Sequence, residues 1–407
     1  MGTEDIKRKL YEFKEAANTE IETDSEVGEY LTPLPSLLSD PVVTASSGCS
    51  LSAEDVEAKL AEFGVQGKVE DIKVGPLVSR YEIRLAAGVR LSQIQNLSED
   101  LAVALKSNKV RIEAPIPGTS LVGIEIGNDT PAIIPFKKVV DDIAVLPGEE
   151  LNPEYELPVA IGTDTLNKNV ILELTKMPHL LIAGQTGSGK SVGLQTILMS
   201  IIYTKQPNEC QLVLVDPKRV EMASYSALPH LRYPIINEPE KAVEIFDELV
   251  REMEARYEIL AQAKVRNIKG YNEANPDDKM PYIVVVVDEM ADLMMSSPKQ
   301  LEKSIVRLAQ LARAVGIHLV LATQKPTVKV ITGLIKSNMP SRISFLVASK
   351  NDSRVILDRN GAEKLLGRGD MLVLHPGNPE PERVHGAWIS DKDISEVLDF
   401  IKVGMEG

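Results

Sequence analysis

The sequence is poor in cysteine, has no long apolar run and carries no net positive charge. Cys49 and Cys210 are its two cysteines, and they lie too far apart for a metal-binding or redox motif. No uninterrupted apolar run reaches the roughly 18 residues that a membrane-spanning helix needs. Residues 1–18 are charged and contain no apolar centre of the signal-peptide type. These absences predict a protein of the reducing cytoplasm.

The negative charge is unevenly distributed along the chain. The 407 residues carry a formal net charge of −14, which by itself argues against a nucleic-acid partner because a surface that binds DNA must be basic. From Lys303 to Asn351, however, there is no Asp or Glu, while Lys and Arg recur. A local basic surface is therefore expected in this part of a chain that is acidic overall.

Length and pattern predict four consecutive regions. Residues 1–30 form a polar, acidic leader, and residues 31–146 combine a capped helix with alternating strands, which is typical of a small α+β domain. A Pro- and acid-rich linker follows at 147–158. In residues 159–403 short apolar runs alternate with helical stretches, which indicates an α/β domain with a mostly parallel sheet.

A phosphate-binding loop is the clearest motif. The apolar run His179–Ala183 predicts a strand, Gly184–Ser191 follows with the pattern G-x-x-x-x-G-K-S, and a helix is predicted next. Glycines in such a loop turn N–H groups toward a phosphate chain, and the helix adds its positive end. Lys190 is placed to reach the β- and γ-phosphates and Ser191 to bind Mg²⁺. The predicted nucleotide contacts are Gly184, Gln185, Thr186, Gly187, Ser188, Gly189, Lys190, Ser191 and Val192.

A second apolar run ends in two carboxylates. Tyr282–Val287 is followed directly by Asp288 and Glu289. Ligands of open parallel sheets bind at the carboxyl ends of the strands, so we expect both side chains at the nucleotide. Asp288 suits the Mg²⁺ coordination shell, and Glu289 suits a base that polarises the attacking water. The alternative is an acidic N-cap of the next helix.

Two polar residues flank the predicted strand Ile317–Ala322. Gln324 follows it and is expected either to sense the γ-phosphate or to be a buried, satisfied amide. Arg313 precedes it, in the last turn of a helix that opens with a capping box at Ser297–Gln300. The helix dipole favours a cation there, and an arginine finger directed at a neighbouring subunit is the functional interpretation.

Basic loops follow two predicted strands within the acid-free span. Lys325–Gly333 comes after the strand that precedes Gln324, and Lys350–Arg354 comes after the next strand. Lys and Arg without interleaved aromatic residues suit the phosphates of a DNA backbone, and solubilising loop lysines are the alternative. The predicted DNA contacts are Lys325, Lys329, Lys336, Arg342, Lys350 and Arg354.

One more charged segment, Asp216–Arg219, ends another predicted strand. Its position allows two interpretations, a contact with the nucleotide and a contact with a neighbouring subunit. The sequence alone does not choose between them.

Six segments, in this order and with similar spacing, resemble the FtsK/SpoIIIE family of bacterial DNA translocases. They are Ala183–Val192, Asp216–Lys218, Val287–Glu289, Leu311–His318, Ala322–Gln324 and Gly367–Leu372. The resemblance extends over residues 31–400. One departure is Gln185, where the family pattern has a small residue.

The resemblance implies a RecA-like P-loop ATPase domain preceded by a smaller domain, assembled as a hexameric ring around double-stranded DNA. It implies ATP and Mg²⁺ as cofactors, and chromosome segregation and cell division as the processes served. By motif match, Asp288 and Glu289 become the Walker B pair, and Arg313 becomes a finger that acts on the neighbouring subunit. The loops expected to line the channel contain Lys325, Lys336 and Lys350.

Two features of the family have no counterpart in the sequence. Members usually carry N-terminal membrane segments and a C-terminal winged-helix domain, whereas this chain ends at Gly407, soon after the motor region. A motor fragment or a soluble relative is therefore expected. Alternatives are a related ring ATPase that moves protein in secretion, a conjugative coupling protein and a nucleotide-switched binding module. The acid-free span favours DNA over protein, and Glu289 beside Asp288 argues against a switch.

Overall fold

The computed structural model describes Tyr30 and residues 32–39, 48–107, 109–145 and 151–406. Apart from Tyr30, the predicted leader lies outside these residues, as does the part of the predicted linker at 147–150. Within the described residues the chain has a four-stranded and a nine-stranded sheet, each with a hydrophobic core of its own. None of the described helices is long and apolar enough to span a membrane.

The smaller domain is an antiparallel sheet covered by short helices. Its elements are α1 (Ala53–Glu62), β1 (Gly67–Val74), β2 (Val78–Leu85), α2 (Leu91–Asn96), α3 (Ser98–Ala104), β3 (Val110–Glu113) and β4 (Val122–Gly127). The strand order is β1–β2–β4–β3. α1 begins at a capping box, in which Ser52 Oγ accepts from Asp55 N at 3.2 Å and the Asp55 carboxylate accepts from Ser52 N at 2.9 Å. Alternate strand residues such as Tyr81, Ile83 and Ile124 face the helices and form the core.

The larger domain has the predicted α/β alternation. Its elements are α4 (Phe136–Val140), β5 (Pro158–Asp164), β6 (Asn169–Glu173), β7 (His179–Ala183), α5 (Lys190–Thr204), β8 (Cys210–Val215), α6 (Pro239–Gln262), α7 (Ile268–Ala274), β9 (Tyr282–Val287), α8 (Met290–Ser296), α9 (Pro298–Leu311), β10 (Ile317–Thr323), α10 (Gly333–Asn338), β11 (Ser341–Phe345), α11 (Lys350–Leu357), β12 (Asp370–His375), β13 (Asn378–Gly386) and α12 (Asp391–Glu406). Short 3₁₀ turns occur at Pro35–Leu37, Ala223–Ala227, Ala312–Val315 and Ala362–Lys364.

The nine-stranded sheet is mixed rather than mostly parallel. Its order is β6–β5–β13–β12–β11–β7–β10–β9–β8. The strands from β11 to β8 are parallel, whereas β12, β13, β5 and β6 pair antiparallel. β5, β6 and β13 are not predicted by the sequence pattern, and β13 shows why. It carries Glu380, Glu382 and Arg383, so it lacks the continuous apolar run of a buried parallel strand.

Residues before the predicted linker already pack in the larger core. α4 lies in the range that the sequence assigns to the small domain, yet Phe136, Val139 and Val140 are buried in the core of the larger one. Two backbone hydrogen bonds attach this segment to the distant end of the chain, from Phe136 N to Trp388 O at 2.9 Å and from Trp388 N to Ile134 O at 2.7 Å. The chain therefore enters the larger domain ahead of the linker.

The register of three parallel strands brings their ends to one edge of the sheet. β10 pairs with β7 and with β9, and the pairs Thr323–Ala183 and Leu321–Val287 align the carboxyl ends. All three strands are buried along their full length, which explains their continuous apolar composition. The residues that follow these strands therefore meet at the same edge.

Candidate nucleotide site

The loop between β7 and α5 has the backbone shape of a phosphate-binding loop. Gly187 and Gly189 adopt left-handed conformations, with φ of 76° and 106°. A Cβ on Gly189 would lie 2.3 Å from the backbone nitrogen of Gly369, so no larger residue fits there. α5 starts directly at Lys190 and turns its N-terminal end into the loop. The strand–loop–helix context that the motif requires is present.

Lys190 is paired with Asp288 inside the protein. Its Nζ lies 2.6 Å from Asp288 Oδ1 and 2.7 Å from the Asp288 carbonyl oxygen. Both side chains are almost fully buried, at 3% and 0% exposure. The other carboxylate oxygen, Asp288 Oδ2, is buried without a hydrogen-bond partner among the described residues. A buried oxygen of this kind calls for a partner, and hard cations such as Mg²⁺ bind carboxylate oxygens directly or through water. Asp288 therefore fits the predicted metal site.

Glu289 is buried at the centre of the site and accepts hydrogen bonds from several directions. Its Oε1 accepts from the Thr323 hydroxyl at 2.6 Å and from Ala291 N at 3.2 Å. Its Oε2 accepts from Gln324 N at 3.0 Å and lies 3.4 Å from Lys218 Nζ. The bond to Ala291 is the helix N-cap that the sequence offered as the alternative. The carboxylate thus caps α8 and also faces the end of β10.

Gln324 lies within reach of the phosphate loop. Its side-chain Oε1 accepts a hydrogen bond from the Thr186 hydroxyl at 3.0 Å. The bond to Oε1 directs the carboxamide toward the loop, and its NH₂ group is a donor suited to a phosphate oxygen. Gln324 is half-buried, so it is not the enclosed amide of the alternative interpretation.

The segment after β8 supplies two side chains to the site. The buried Asp216 carboxylate accepts from the backbone N–H groups of Lys218, Val220 and Met222, at 3.2, 2.9 and 3.0 Å. These bonds fold the loop around Asp216 and place Lys218 near Glu289. Of the two interpretations of this segment, the contact with the nucleotide is therefore supported over the contact with a neighbouring subunit. The same loop brings Glu221 to the phosphate loop. Sequence reasoning assigned no role to Glu221, whose only signal was its place five residues after Asp216.

Arg313 lies at the opposite edge of the sheet from the phosphate loop. It is exposed in the 3₁₀ turn before β10, and its Nε donates to the carbonyl oxygen of Thr175 at 3.2 Å. β10 separates it from the strand ends, and a strand of this length spans ~20 Å. The structure therefore does not bring Arg313 to the phosphate loop of its own chain.

Arg342 has a structural role, which argues against its predicted contact with DNA. Its side chain is 8% exposed. The guanidinium donates to the carbonyl oxygens of Met339, Ile356 and Lys336, at 3.0, 3.1 and 2.9 Å. A further bond of 2.6 Å reaches Asp358. The group is thus occupied in bracing α10 and α11 against β11.

The other predicted DNA contacts differ in their surroundings. Lys325, Lys329 and Arg354 are exposed. Lys336 shares the carboxylate of Asp358 with Arg342, and its Nζ lies 2.7 Å from Oδ1. Lys350 is exposed and lies 2.9 Å from Glu99 of the smaller domain. These five remain predictions as DNA contacts.

A cavity of ≈ 1400 Å³ opens between the phosphate loop and the smaller domain. It is larger than the roughly 300–1,000 Å³ typical of small-molecule sites. Trp388 and the Leu366–Gly369 segment line it on the side of the larger domain, and Lys106 and Asn128 line it on the side of the smaller one. The cavity therefore has room for a nucleotide whose phosphates lie in the loop.

A buried ion network connects the two domains. Arg383 Nη1 donates to Glu125 Oε2 at 2.6 Å, and Arg111 donates to the same oxygen at 3.0 Å. Arg383 also binds both carboxylate oxygens of Asp370, at 2.9 and 2.6 Å. Burial alone would raise the pKa of Glu125, but the two guanidinium groups overcome it and lower the pKa to about 2. The pKa of Asp370 is also held below its usual range by Arg383, against the effect of burial.

Two family models match the sequence. The FtsK/SpoIIIE family model matches residues 145–328, and the FtsK alpha domain model matches residues 34–128. The DNA translocase FtsK of Lactiplantibacillus plantarum is 46% identical over 402 residues, and that of Staphylococcus aureus strain Mu50 is 44% identical over 412. These alignments cover 96% and 98% of this chain but 49% and 51% of the relatives. The chain therefore spans about half the length of the curated relatives it matches.

Solved structures show the same fold. The monomer form of TcpA, the pCW3 conjugation coupling protein with ATPγS, is 25% identical with a TM-score of 0.59, over 86% of this chain and 98% of that chain. The cytoplasmic domain of EccC, a type VII secretion ATPase of Thermomonospora curvata, is 26% identical with a TM-score of 0.54. That likeness covers 61% of this chain and 32% of EccC. The predicted P-loop ATPase fold is confirmed.

Proposed function

The chain belongs to the FtsK/SpoIIIE family of P-loop ATPases, and from this premise we propose that it hydrolyses ATP to move double-stranded DNA. The observation that carries the proposal is the meeting of the phosphate loop, the Asp288–Glu289 pair and Gln324 at one edge of the sheet. The curated relatives named DNA translocase support the substrate. We further propose that the protein works in the cytoplasm, in chromosome segregation and cell division.

The phosphate loop holds the triphosphate in this proposal. Backbone N–H groups of residues 184–192 and the Lys190 ammonium contact the β- and γ-phosphates, so Lys190 exchanges its bond to Asp288 for one to phosphate. Ser191 and Asp288 are the residues that would hold Mg²⁺, which neutralises charge on the phosphate oxygens when it is bound.

Glu289 is the residue that we assign to the attacking water. It lies between the end of β10 and Lys218, and as a general base it takes a proton from the water that attacks the γ-phosphorus. The bond between the γ-phosphorus and the bridging oxygen breaks, and ADP leaves with that oxygen. Gln324, bonded to the loop through Thr186, senses whether the γ-phosphate is present. Loss of that phosphate would release the Gln324 amide and, through the chain that follows it, the basic loop at Lys325–Gly333.

A ring of six subunits completes the site in this proposal. Arg313 is exposed and distant from its own phosphate loop, which supports a role for its guanidinium at the γ-phosphate of a neighbouring copy. Head-to-tail contacts of this kind, in which the two faces differ, generate closed rings when the rotation between subunits closes.

DNA binds through its backbone phosphates in this proposal. The exposed residues Lys325 and Lys329 lie in the acid-free span of the larger domain, and the exposed Arg354 follows shortly after that span ends at Asn351. Lys and Arg contacts to phosphate give affinity that depends little on sequence and falls with salt. An affinity that is indifferent to salt would contradict this part of the proposal.

A second candidate is a related ATPase that serves conjugation or secretion. The likeness to TcpA favours a conjugative coupling protein, and the likeness to EccC favours an ATPase that moves protein. The acid-free span from Lys303 to Asn351 supports DNA as the substrate in preference to polypeptide.

The test is the steady-state ATPase rate as a function of the length of linear duplex DNA, at two salt concentrations. Lys190→Ala and Arg313→Ala are the variants, and Arg84→Ala is the matched control because Arg84 pairs with Glu70 on an exposed surface of the smaller domain. We expect stimulation that grows with DNA length, weakens with salt, disappears in both variants and persists in the control. An absence of stimulation at every length would favour the secretion candidate.

A further inference from the structure

A carboxylate outside the predicted motifs contacts the phosphate loop directly. The Ser191 hydroxyl donates a hydrogen bond of 2.7 Å to Glu221 Oε1. Glu221 is half-buried and lines the same cavity as Gly187 and Lys190. It is therefore a neighbour of the side chain that the motif assigns to Mg²⁺.

The backbone around Glu221 is fixed by hydrogen bonds to a residue at the end of strand β8. Asp216, the residue after β8, is fully buried, and its Oδ2 accepts from Val220 N at 2.9 Å and from Met222 N at 3.0 Å. These are the residues on either side of Glu221. One buried carboxylate thus holds both flanks of the residue and sets the direction in which its side chain points.

The backbone is also fixed on the side of α5. Gln195 lies one helical turn beyond Ser191, and its Nε2 donates to the carbonyl oxygen of Glu221 at 2.7 Å. The side-chain oxygen of Gln195 accepts from the Tyr225 hydroxyl. The helix that carries Ser191 therefore holds the main chain of Glu221 as well. The contact between Ser191 and Glu221 is therefore held in place by hydrogen bonds to the backbone on both sides of Glu221.

The direction of this hydrogen bond matters for metal binding. A hydroxyl that donates its proton to a carboxylate keeps its oxygen lone pairs for a cation. Groups that ligate metals are commonly oriented by hydrogen-bonded partners behind them, and loss of such a partner weakens metal binding by about 10–100-fold. A carboxylate in that place also adds negative charge next to a divalent cation.

We propose that Glu221 is a positioning residue for the metal–nucleotide complex: it orients the Ser191 hydroxyl and favours nucleotide bound with a divalent cation over nucleotide alone. The inference rests on the proposed function of the phosphate loop. It adds a third carboxylate, after Asp288 and Glu289, to the residues on which that function depends.

The test measures nucleotide affinity with and without metal. Isothermal titration with ATPγS, in Mg²⁺ and in excess EDTA, is performed on the wild type, Glu221→Ala and Glu221→Gln. The control is Glu244→Gln, because Glu244 pairs with Lys241 on an exposed surface. We expect Glu221→Ala to reduce the gain in affinity that Mg²⁺ provides by about 10–100-fold and to cause no loss of affinity in EDTA, where removal of a negative charge lowers repulsion with the phosphates. Glu221→Gln keeps an oxygen acceptor for Ser191 and loses the charge, so its reduction should be smaller.

Four outcomes would overturn the inference. Equal losses with and without Mg²⁺ would mean that Glu221 only shapes the loop, and unchanged affinities in all variants would mean that it has no role. In the double variant, the losses of Mg²⁺-dependent affinity caused by Ser191→Ala and Glu221→Ala are expected to be non-additive. Additive losses would mean that the two residues act independently. A wild type that binds no nucleotide under either condition would overturn the proposed function itself, and the inference with it.

Discussion

Arg383 and Glu125 form a buried ion pair that crosses between the two domains, with 2.6 Å between Nη1 and Oε2. The same guanidinium binds Asp370, and the residue before Asp370, Gly369, donates its N–H to the carbonyl oxygen of Ser188 at 2.9 Å. Ser188 is part of the phosphate loop. The smaller domain is thus connected to the nucleotide site through a short series of buried contacts, and its position and that of the loop depend on each other.

Removal of Glu125 should therefore destabilise the protein strongly. Glu125→Ala leaves Arg383 and Arg111 without their shared partner in a buried place, and breaking a buried pair costs about 3–5 kcal/mol. The measurement is the free energy of unfolding from urea titration. Glu70→Ala is the control, since Glu70 pairs with Arg84 on an exposed surface and should matter little. If Glu125→Ala proves as mild as the control, the network does not hold the domains together.

Stability should fall when the pH drops below about 6.5. Burial lowers the pKa of His179 to about 3, with His318 and Arg313 adding to the effect, and burial lowers the pKa of His318 to about 4. The unfolded chain therefore binds protons from pH 6.5 downward, whereas the folded protein does not until about pH 4. Glu125 adds to the loss at lower pH, between its ordinary pKa of 4.5 and about 2.

The pH dependence is checked by urea titrations between pH 7 and pH 4. Each proton taken up only by the unfolded chain changes the free energy of unfolding by about 1.4 kcal/mol per pH unit. His318→Gln removes one of the buried imidazoles and keeps an amide donor for the Pro178 carbonyl, so its profile should be flatter. A profile as steep as that of the wild type would show that His318 does not contribute.

The residues that carry the chemistry of the site could be predicted from the sequence more fully than the residues that hold them in place. Continuous apolar strands and short motifs carry strong signals, so the sequence predicts Lys190, Asp288 and Glu289 at the same strand ends. Glu221 could not be predicted because its contact with Ser191 depends on a loop that folds around Asp216, and no sequence periodicity indicates such a loop. Arg342 is predicted as a DNA contact from its charge, and charge alone does not show that a guanidinium points inward.

Nucleotide binding should change the fluorescence of Trp388. It is the single tryptophan of the chain and lines the cavity that adjoins the phosphate loop. ATP and ADP carry a base beyond the phosphates and should shift the emission, whereas inorganic triphosphate, which occupies the loop alone, should shift it less. Trp388→Phe should abolish the signal and retain binding. Unaltered emission at nucleotide saturation, established by calorimetry, would place the base elsewhere.

The basic loops and Arg342 should respond differently to mutation. Replacing Lys325 and Lys329 together by Ala removes two exposed cations. The slope of log affinity for duplex DNA against log salt concentration should therefore become smaller in magnitude by about 2 for each subunit that contacts the DNA. The free energy of unfolding should not change. Arg342→Ala should leave the slope unchanged and lower the free energy of unfolding, since an unpaired buried polar group costs about 1–3 kcal/mol. Filter binding and urea titration measure the two quantities. A changed salt slope in Arg342→Ala would restore its assignment to DNA.

Mixed rings should show whether Arg313 acts on a neighbouring subunit. Lys190→Ala lacks a working phosphate loop, and Arg313→Ala lacks the finger, so each variant alone should be almost inactive. In a mixture, a loop from an Arg313→Ala subunit can meet the finger of a Lys190→Ala subunit. Random assembly at equal amounts makes about one interface in four intact. If the residues of one site come from two chains, DNA-stimulated ATPase should therefore reappear on mixing.

The same experiment distinguishes action within one chain. If Arg313 served its own phosphate loop, every subunit in the mixture would carry one defect in its own site, and mixing would restore nothing. Its position argues against that arrangement, since Arg313 is bonded to Thr175 at the amino ends of the strands while the phosphate loop lies at their carboxyl ends. The control mixes Lys190→Ala with a Lys190→Ala, Arg313→Ala double variant, in which no interface can be complete. Activity in that mixture would mean that the recovery does not come from shared sites.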